Sequence, residues 1–162
     1  MNQLERLILQ IGKENVEKIK NTVVAIIGLG GVGGYALESI TRSGIGTIII
    51  IDNDTIDITN LNRQLISTHQ NIGQSKVDAW EERIKMINPD CKVIKIKEFI
   101  TKDNLPIIFQ NKINYFIDAC DTVSTKKEII KECAKSNIKI ISSMGTGNKL
   151  DPSKLEIIDV RK

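Results

Sequence analysis

Cysteine is scarce in this chain, and its three residues, Cys91, Cys120 and Cys133, are odd in number with no C-x-x-C spacing. That excludes a disulfide framework and a cysteine-built zinc site, and it fits a reducing, cytoplasmic setting. Histidine is scarcer still: His69 stands alone, so any acid–base role for an imidazole falls on one residue. Long apolar blocks are missing, and the chain opens with Glu5 and Arg6 among its first residues; neither a signal peptide nor a membrane span is expected. No charge sign dominates either. The 23 Lys and Arg against 20 Asp and Glu leave a net charge of +3, which permits nucleic-acid binding without indicating it. Internal repeats and low-complexity linkers are absent as well.

What remains is the composition of one compact domain. With 162 residues and 41% hydrophobic content, the chain is long enough to bury a real core but short for two domains. Apolar runs alternate with amphipathic stretches, the pattern of βαβ units in an α/β, Rossmann-like, mostly parallel sheet with helices on both faces. The runs predict strands at 22–28, 46–52, 92–98, 113–119 and 138–143. A helix is expected over 32–43, ended by Gly44, and another over 75–88, with Ser75 as N-cap and Asp78 in the capping-box position. Val77, Trp80, Ile84 and Ile87 give that second helix an apolar side, and Pro89 stops it. Shorter helices are expected over 102–110 and 122–136, and residues 1–20 read as one or two amphipathic helices broken near Gly12.

The first strand runs straight into Gly28-Leu29-Gly30-Gly31-Val32-Gly33. Glycines between a strand and a helix let backbone approach phosphate oxygens, and the helix that follows presents free N–H groups and its positive dipole end. The second strand ends at Asp52, placed to accept hydrogen bonds from ribose hydroxyls. An ordinary dinucleotide fold passes quickly into a helix at this point. Here residues 53–71 form a polar, turn-rich loop holding Asp54, Asn60, Asn62, Arg63, Gln64 and His69, and a loop of that length is expected to have a function. Arg63, and Lys76 just inside the next helix, could converge on a polyphosphate. The fourth strand carries Asp118 and then Asp121 to the carboxyl edge of the sheet, where open α/β folds place ligands. A carboxylate beside phosphates points to Mg²⁺.

Four ordered motifs, GLGGVGG at 28–34, IDNDTIDITNLNRQ at 51–64, GQSK at 73–76 and IDACDT at 117–122, make the chain resemble the ThiF/MoeB/HesA family, bacterial relatives of ubiquitin-activating enzymes. The resemblance covers nearly the whole chain. RSGIG at 42–46, ERIKMINPDCKV at 82–93 and ISSMGTGNKLDP at 141–152 resemble the branch that dehydrates threonylcarbamoyladenosine at position 37 of tRNA. The resemblance implies a ThiF-type adenylation fold. It also implies that a carboxylate attacks the α-phosphate of ATP, giving an acyl-adenylate and pyrophosphate; ring closure onto the activated carbonyl then yields the cyclic nucleoside with net loss of water.

By the same resemblance Gly28, Gly30, Gly31 and Gly33 admit the ATP phosphates, Asp52 and Asp54 lie in the nucleotide site, and Asn60, Arg63, Gln64 and Lys76 bind the phosphate chain. Asp121 carries Mg²⁺, and Arg6 reaches the phosphates in the other subunit of a homodimer. The catalytic set is then Arg63, Lys76, Asp121 and Arg6, acting by electrostatic preorganisation and not through a protein nucleophile. The branch normally continues beyond residue 162, so the C-terminal part of the family is expected to be absent from this chain and turnover incomplete without it.

Plainer readings stand beside these. The glycine turn could serve packing alone, Asp121 could cap the helix from Thr122, and His69 reads as an ordinary loop residue. The cysteines read as packing residues whose thiols neighbouring carboxylates would hold unreactive, and Lys126, Lys127, Lys131 and Lys135 read as a solvated helix face. Three other functions stay open: adenylation of the C-terminus of a ubiquitin-like sulfur carrier, an NAD-linked oxidoreductase, and a nucleotide-binding module without chemistry. The absence of zinc cysteines and the 141–152 segment favour the tRNA reading over the sulfur carrier. Arg63, Lys76 and Asp121 speak against NAD, whose pyrophosphate needs no metal carboxylate.

Overall fold

In this computed structural model, residues 3–147 and 150–160 are described. The pair Asn148 and Lys149 of the 141–152 segment, and the final Arg161 and Lys162, lie outside the described residues. Strands β1 (Val23–Ile27), β2 (Thr47–Ile51), β3 (Lys92–Ile96), β4 (Tyr115–Asp118) and β5 (Lys139–Ser142) form one parallel sheet in the order β3-β2-β1-β4-β5. Each lies inside the range its apolar run predicts. The helices are α1 (Glu5–Ile11), α2 (Lys13–Lys20), α3 (Gly33–Arg42), α4 (Lys76–Ile87), α5 (Pro106–Phe109) and α6 (Val123–Lys135).

The continuous Ile and Val runs in β1 and β2 follow from burial on both faces. Val24, Ile26, Ile48 and Ile50 pack with Leu37 of α3 and Val77, Trp80 and Ile84 of α4. Ala25, Ile27, Ile49 and Ile51 turn the other way, onto Ile108 of α5, Phe116 of β4, and Ile129 and Cys133 of α6. Each such isoleucine, fully buried, contributes about 1.5–3 kcal/mol of transfer free energy, so the sheet centre is the main source of hydrophobic stabilisation. Trp80 lies close under α3, and a Cβ on Gly34 would stand 3.1 Å from its ring.

Several helix ends depart from expectation. Gly44 follows α3 with φ at +83°, the left-handed conformation its position predicts. Ser75 does sit at the N-cap of α4, but its side chain makes no capping bond, and Asp78 is held instead by Lys95 of β3 at 2.7 Å. The helix start is fixed by backbone, through an antiparallel bridge between Thr55 and Ser75. The stretch 102–110 yields only the one-turn α5, because Pro106 can occupy a first helical turn but not an interior. Among the described residues, no helix is long and apolar enough to cross a membrane.

Candidate active site

The sheet order reverses between β1 and β4, and a cavity of about 890 Å³ opens there, at the carboxyl ends of the strands. Gly28, Gly30, Gly31, Asp52, Asp54, Asn60, Arg63, Gln64, Lys76 and Asp121 all line it. Gly33 and Arg6 do not line it. Gly33 is buried behind the turn, where a Cβ would fall 1.8 Å from the Gly28 carbonyl oxygen, and Arg6 is exposed on α1.

The glycines therefore divide by task. At Gly28, φ is +83° and a Cβ would meet the Ala119 carbonyl oxygen at 2.6 Å, so β1 and the turn after β4 approach at a distance only glycine allows. Gly30 and Gly31 line the cavity, and a Cβ on either would meet nothing closer than ordinary contact, 3.8 Å to Gln64 and 3.6 Å to Arg63. These two positions can admit a ligand's oxygens against main chain, at the N-terminal end of α3.

Asp52 is buried at the end of β2 and ties the turn down. One carboxylate oxygen accepts the Leu29 N–H at 2.7 Å and the other the Asp54 N–H at 2.9 Å. Burial pushes its carboxyl above the ordinary value of 3.8 in spite of those bonds. Each oxygen retains a second lone pair, so ribose hydroxyls can still donate to it.

The long loop is less irregular than its composition implies. Asp57 caps a 3-10 turn, Ile58–Asn60, and Asn60 reciprocates by accepting the Asp57 N–H at 3.1 Å. The loop base is clipped by Ile56 N–H to Gln74 O and Gly73 N–H to Ile56 O, both at 2.8 Å, and by Lys76 N–H to Asp54 O at 3.0 Å. This closure brings Lys76 to Asp54. Its ammonium, 4% exposed as a residue, donates to the Asp54 carboxylate at 2.6 Å. Arg63 is exposed and braced by the Thr59 carbonyl at 2.8 Å. Gln64 is 7% exposed, and its Oε1 has no hydrogen-bond partner among the described residues. That oxygen is an acceptor shut away from solvent; the atom able to donate to a ligand oxygen is Nε2, which lies on the Gly30 side, 3.8 Å from where a Cβ on that glycine would stand.

Asp121 reaches the cavity from the turn after β4. The cap of α6 is Thr122, not Asp121, and it makes no side-chain capping bond, so Asp121 is left exposed on the cavity wall. No group of three or more His, Cys, Asp or Glu suited to a metal occurs among the described residues. That donor set fits Mg²⁺ carried in with phosphates, since this ion keeps waters and takes only one or two carboxylates.

Several features of the site escape a reading of the sequence. Ile27, Ile51, Phe99 and Ile100 give the cavity an apolar stretch, and Ser143, Gly145 and Thr146 also line it. Lys126 does not belong to a solvated face. It is 5% exposed and its Nζ lies 3.1 Å from each oxygen of Asp118, itself 0% exposed. The stripe Lys126, Ile129, Cys133 at helical spacing is the signal that places Lys126 inward. Cys91 and Cys133 are buried in the core, while Cys120 is half-buried and lines the cavity; burial more than charge disfavours the thiolate at all three. It raises Cys91 to about 11 and Cys133 to about 12, and raises Cys120 to about 12 with help from Asp118. His69 is an exposed loop residue off the cavity wall.

A ThiF family model matches residues 4–153. The chain belongs to the ThiF family. It is 46% identical over its full length to the tRNA threonylcarbamoyladenosine dehydratase of Bacillus subtilis, of which it covers 64%. The structure superposes with a TM-score of 0.93 on the Escherichia coli tRNA N6-threonylcarbamoyladenosine dehydratase crystallised with ATP, at 32% identity, covering 97% of this chain and 65% of that one. A more distant relative is the sulfur carrier protein ThiS adenylyltransferase of Escherichia coli, 29% identical over 89% of this chain and 58% of its own. The chain thus spans somewhat under two thirds of these relatives.

Proposed function

We propose that this chain is the nucleotide-binding part of an enzyme that adenylates a carboxylate with ATP, and that the carboxylate is the threonyl group of threonylcarbamoyladenosine at position 37 of tRNA. The observation that carries the proposal is the gathering of glycine backbone at Gly30 and Gly31, Asp52, the cations Arg63 and Lys76, the Gln64 amide and Asp121 around one cavity. Gly30 and Gly31 let phosphate oxygens reach main-chain N–H groups, while Arg63, Gln64 and Lys76 hold the phosphate chain. Negative charge grows on the phosphoryl and leaving oxygens as the carboxylate attacks, and fixed cations lower that barrier most. Mg²⁺, held by Asp121 and the phosphates, would supply further neutralising charge. Asp54 competes with phosphate for Lys76 and keeps its ammonium in place until ATP arrives.

Arg6, exposed on α1, serves the site of a second copy in a homodimer under this reading, and the enzyme works in the cytoplasm. The name and the 46% identity of the Bacillus relative favour tRNA over a ubiquitin-like sulfur carrier as the activated partner. Mass spectrometry of tRNA incubated with the full-length protein, ATP and Mg²⁺ tests this. Loss of one water from the modified nucleoside is expected. Unchanged tRNA together with adenylation of a sulfur carrier would move the assignment to that partner, and binding of NADH without ATP would end the adenylation reading.

A further inference from the structure

Behind the wall of the cavity lies a charged cluster that does not touch the cavity. Asp118, at the last position of β4, accepts five hydrogen bonds: Lys126 Nζ at 3.1 Å on each oxygen, the Cys120 N–H at 3.2 Å, the Cys120 thiol at 3.1 Å and the Ser142 hydroxyl at 2.5 Å. Its main-chain oxygen accepts the Ser143 N–H at 2.8 Å. Neither Asp118 nor Lys126 lines the cavity, yet Ala119, Cys120, Asp121, Thr122, Thr125 and Ser143 all do. One buried ion pair thus joins the end of β4, the first turn of α6 and the end of β5, immediately under the turn that presents Asp121.

Stability alone is a poor reason for this arrangement. Taking both charges out of water costs several kcal/mol per ion, and a well-packed apolar pair does as well or better in such places. An apolar pair would also continue the stripe of Ile129 and Cys133. What the ion pair supplies, and an apolar pair does not, is direction. The carboxylate fixes the peptide of Cys120, the residue before Asp121, and Lys126 fixes that carboxylate from α6, whose Lys126 N–H bonds back to the Thr122 carbonyl at 3.1 Å.

We propose that Lys126 is a positioning residue for the metal-bearing side of the site: through the buried Asp118 carboxylate it sets the 118–121 turn so that Asp121 faces the phosphates. The proposal rests on the reading of Asp121 as the carboxylate that takes Mg²⁺ with ATP.

The test is calorimetric binding of ATP with and without Mg²⁺ to the wild-type chain, Lys126→Met and Asp121→Asn, each first shown to be folded by circular dichroism. Wild type should gain about tenfold in affinity from Mg²⁺, one such factor being 1.4 kcal/mol. Lys126→Met should bind Mg²⁺-free ATP within about twofold of wild type but lose most of that gain, as Asp121→Asn does. If the unpaired Asp118 prevents Lys126→Met from folding, the neutral pair Asp118→Asn/Lys126→Met takes its place with the same expectation. A folded variant that keeps the full Mg²⁺ gain while Asp121→Asn loses it overturns the role of Lys126 alone. A wild type indifferent to Mg²⁺ overturns the Asp121 reading, and this inference with it.

Discussion

Alanine at Gly30 and alanine at Gly33 should have opposite consequences, although the two glycines stand three residues apart in one motif. At Gly33 the new Cβ would sit 1.8 Å from the Gly28 carbonyl oxygen and 3.0 Å from its carbon. Both are main-chain atoms held in the β1 turn, so relief requires α3 to move off the sheet, an overpacking cost of about 1–3 kcal/mol or more. For a domain of this size that is roughly 2–4 °C in Tm per kcal/mol. At Gly30 the nearest neighbour is 3.8 Å away, in ordinary contact range. Its φ is not among the positive values, so alanine adds no strain and, by restricting the unfolded chain, stabilises by about 0.4–1 kcal/mol. The same methyl occupies the space a phosphate oxygen needs against the Gly30 backbone, and ATP affinity should fall by about 10- to 100-fold, or about 1.4–2.8 kcal/mol. Differential scanning fluorimetry and ATP titration on both variants decide the matter. A Gly30→Ala protein that binds ATP like wild type, or a Gly33→Ala protein that melts like wild type, refutes the division of tasks.

Lys76→Met should weaken ATP binding at least tenfold while shifting Tm little, because the Asp54 carboxylate it leaves behind is 58% exposed and can take water; a large loss of Tm would make Lys76 a structural residue instead. Thiol titration of the native protein at pH 8 should be slow for all three cysteines, since values of about 11 to 12 leave roughly one thiolate in 1,000 to 10,000. ATP should slow Cys120 further, as it alone of the three lines the cavity. Glu38→Gln should erode stability near neutral pH and less so in acid. Hydrogen bonding to Arg83 lowers the Glu38 carboxyl below its ordinary 4.5, so its contribution is full above that value and is lost as pH falls through the lower folded one. A constant difference between variant and wild type across that window, in urea titrations, would count against the pair.

Strand positions were legible because β1 and β2 are buried on both faces, and such strands read as unbroken Ile and Val runs. Asp52 and Lys76 were legible because each stands directly at an end of β2 or α4, and Asp121 because the short turn between β4 and α6 keeps it at the carboxyl edge of the sheet. What could not be read was how side chains divide labour across elements. Ser75 and Asp78 have the spacing of a capping box, yet Lys95 from β3 takes the acid, a contact 17 residues away in sequence. The stripe with Ile129 and Cys133 turns Lys126 inward, unlike its exposed neighbours Lys127 and Lys131, but no helical period names the carboxylate on β4 that receives it. Gly33 carried the same motif letter as Gly30, and only the distance to the Gly28 oxygen separates packing from access.

The charges around the cavity bear on the form in which ATP binds. Its described lining carries four carboxylates, Asp52, Asp54, Glu98 and Asp121, against two cations, Arg63 and Lys76, and Lys76 is already paired with Asp54. Those acids oppose a bare triphosphate bearing about four negative charges. On the proposed reading of Asp121 a divalent cation would reverse the balance, turning Asp121 from a repulsive neighbour into a ligand and halving the charge of the nucleotide. ATP should therefore bind as its magnesium complex, with affinity in excess EDTA at least about tenfold weaker. Affinity unaffected by EDTA would mean that the cations and the N-terminus of α3 alone outweigh the acids, and Asp121 would then need a different task.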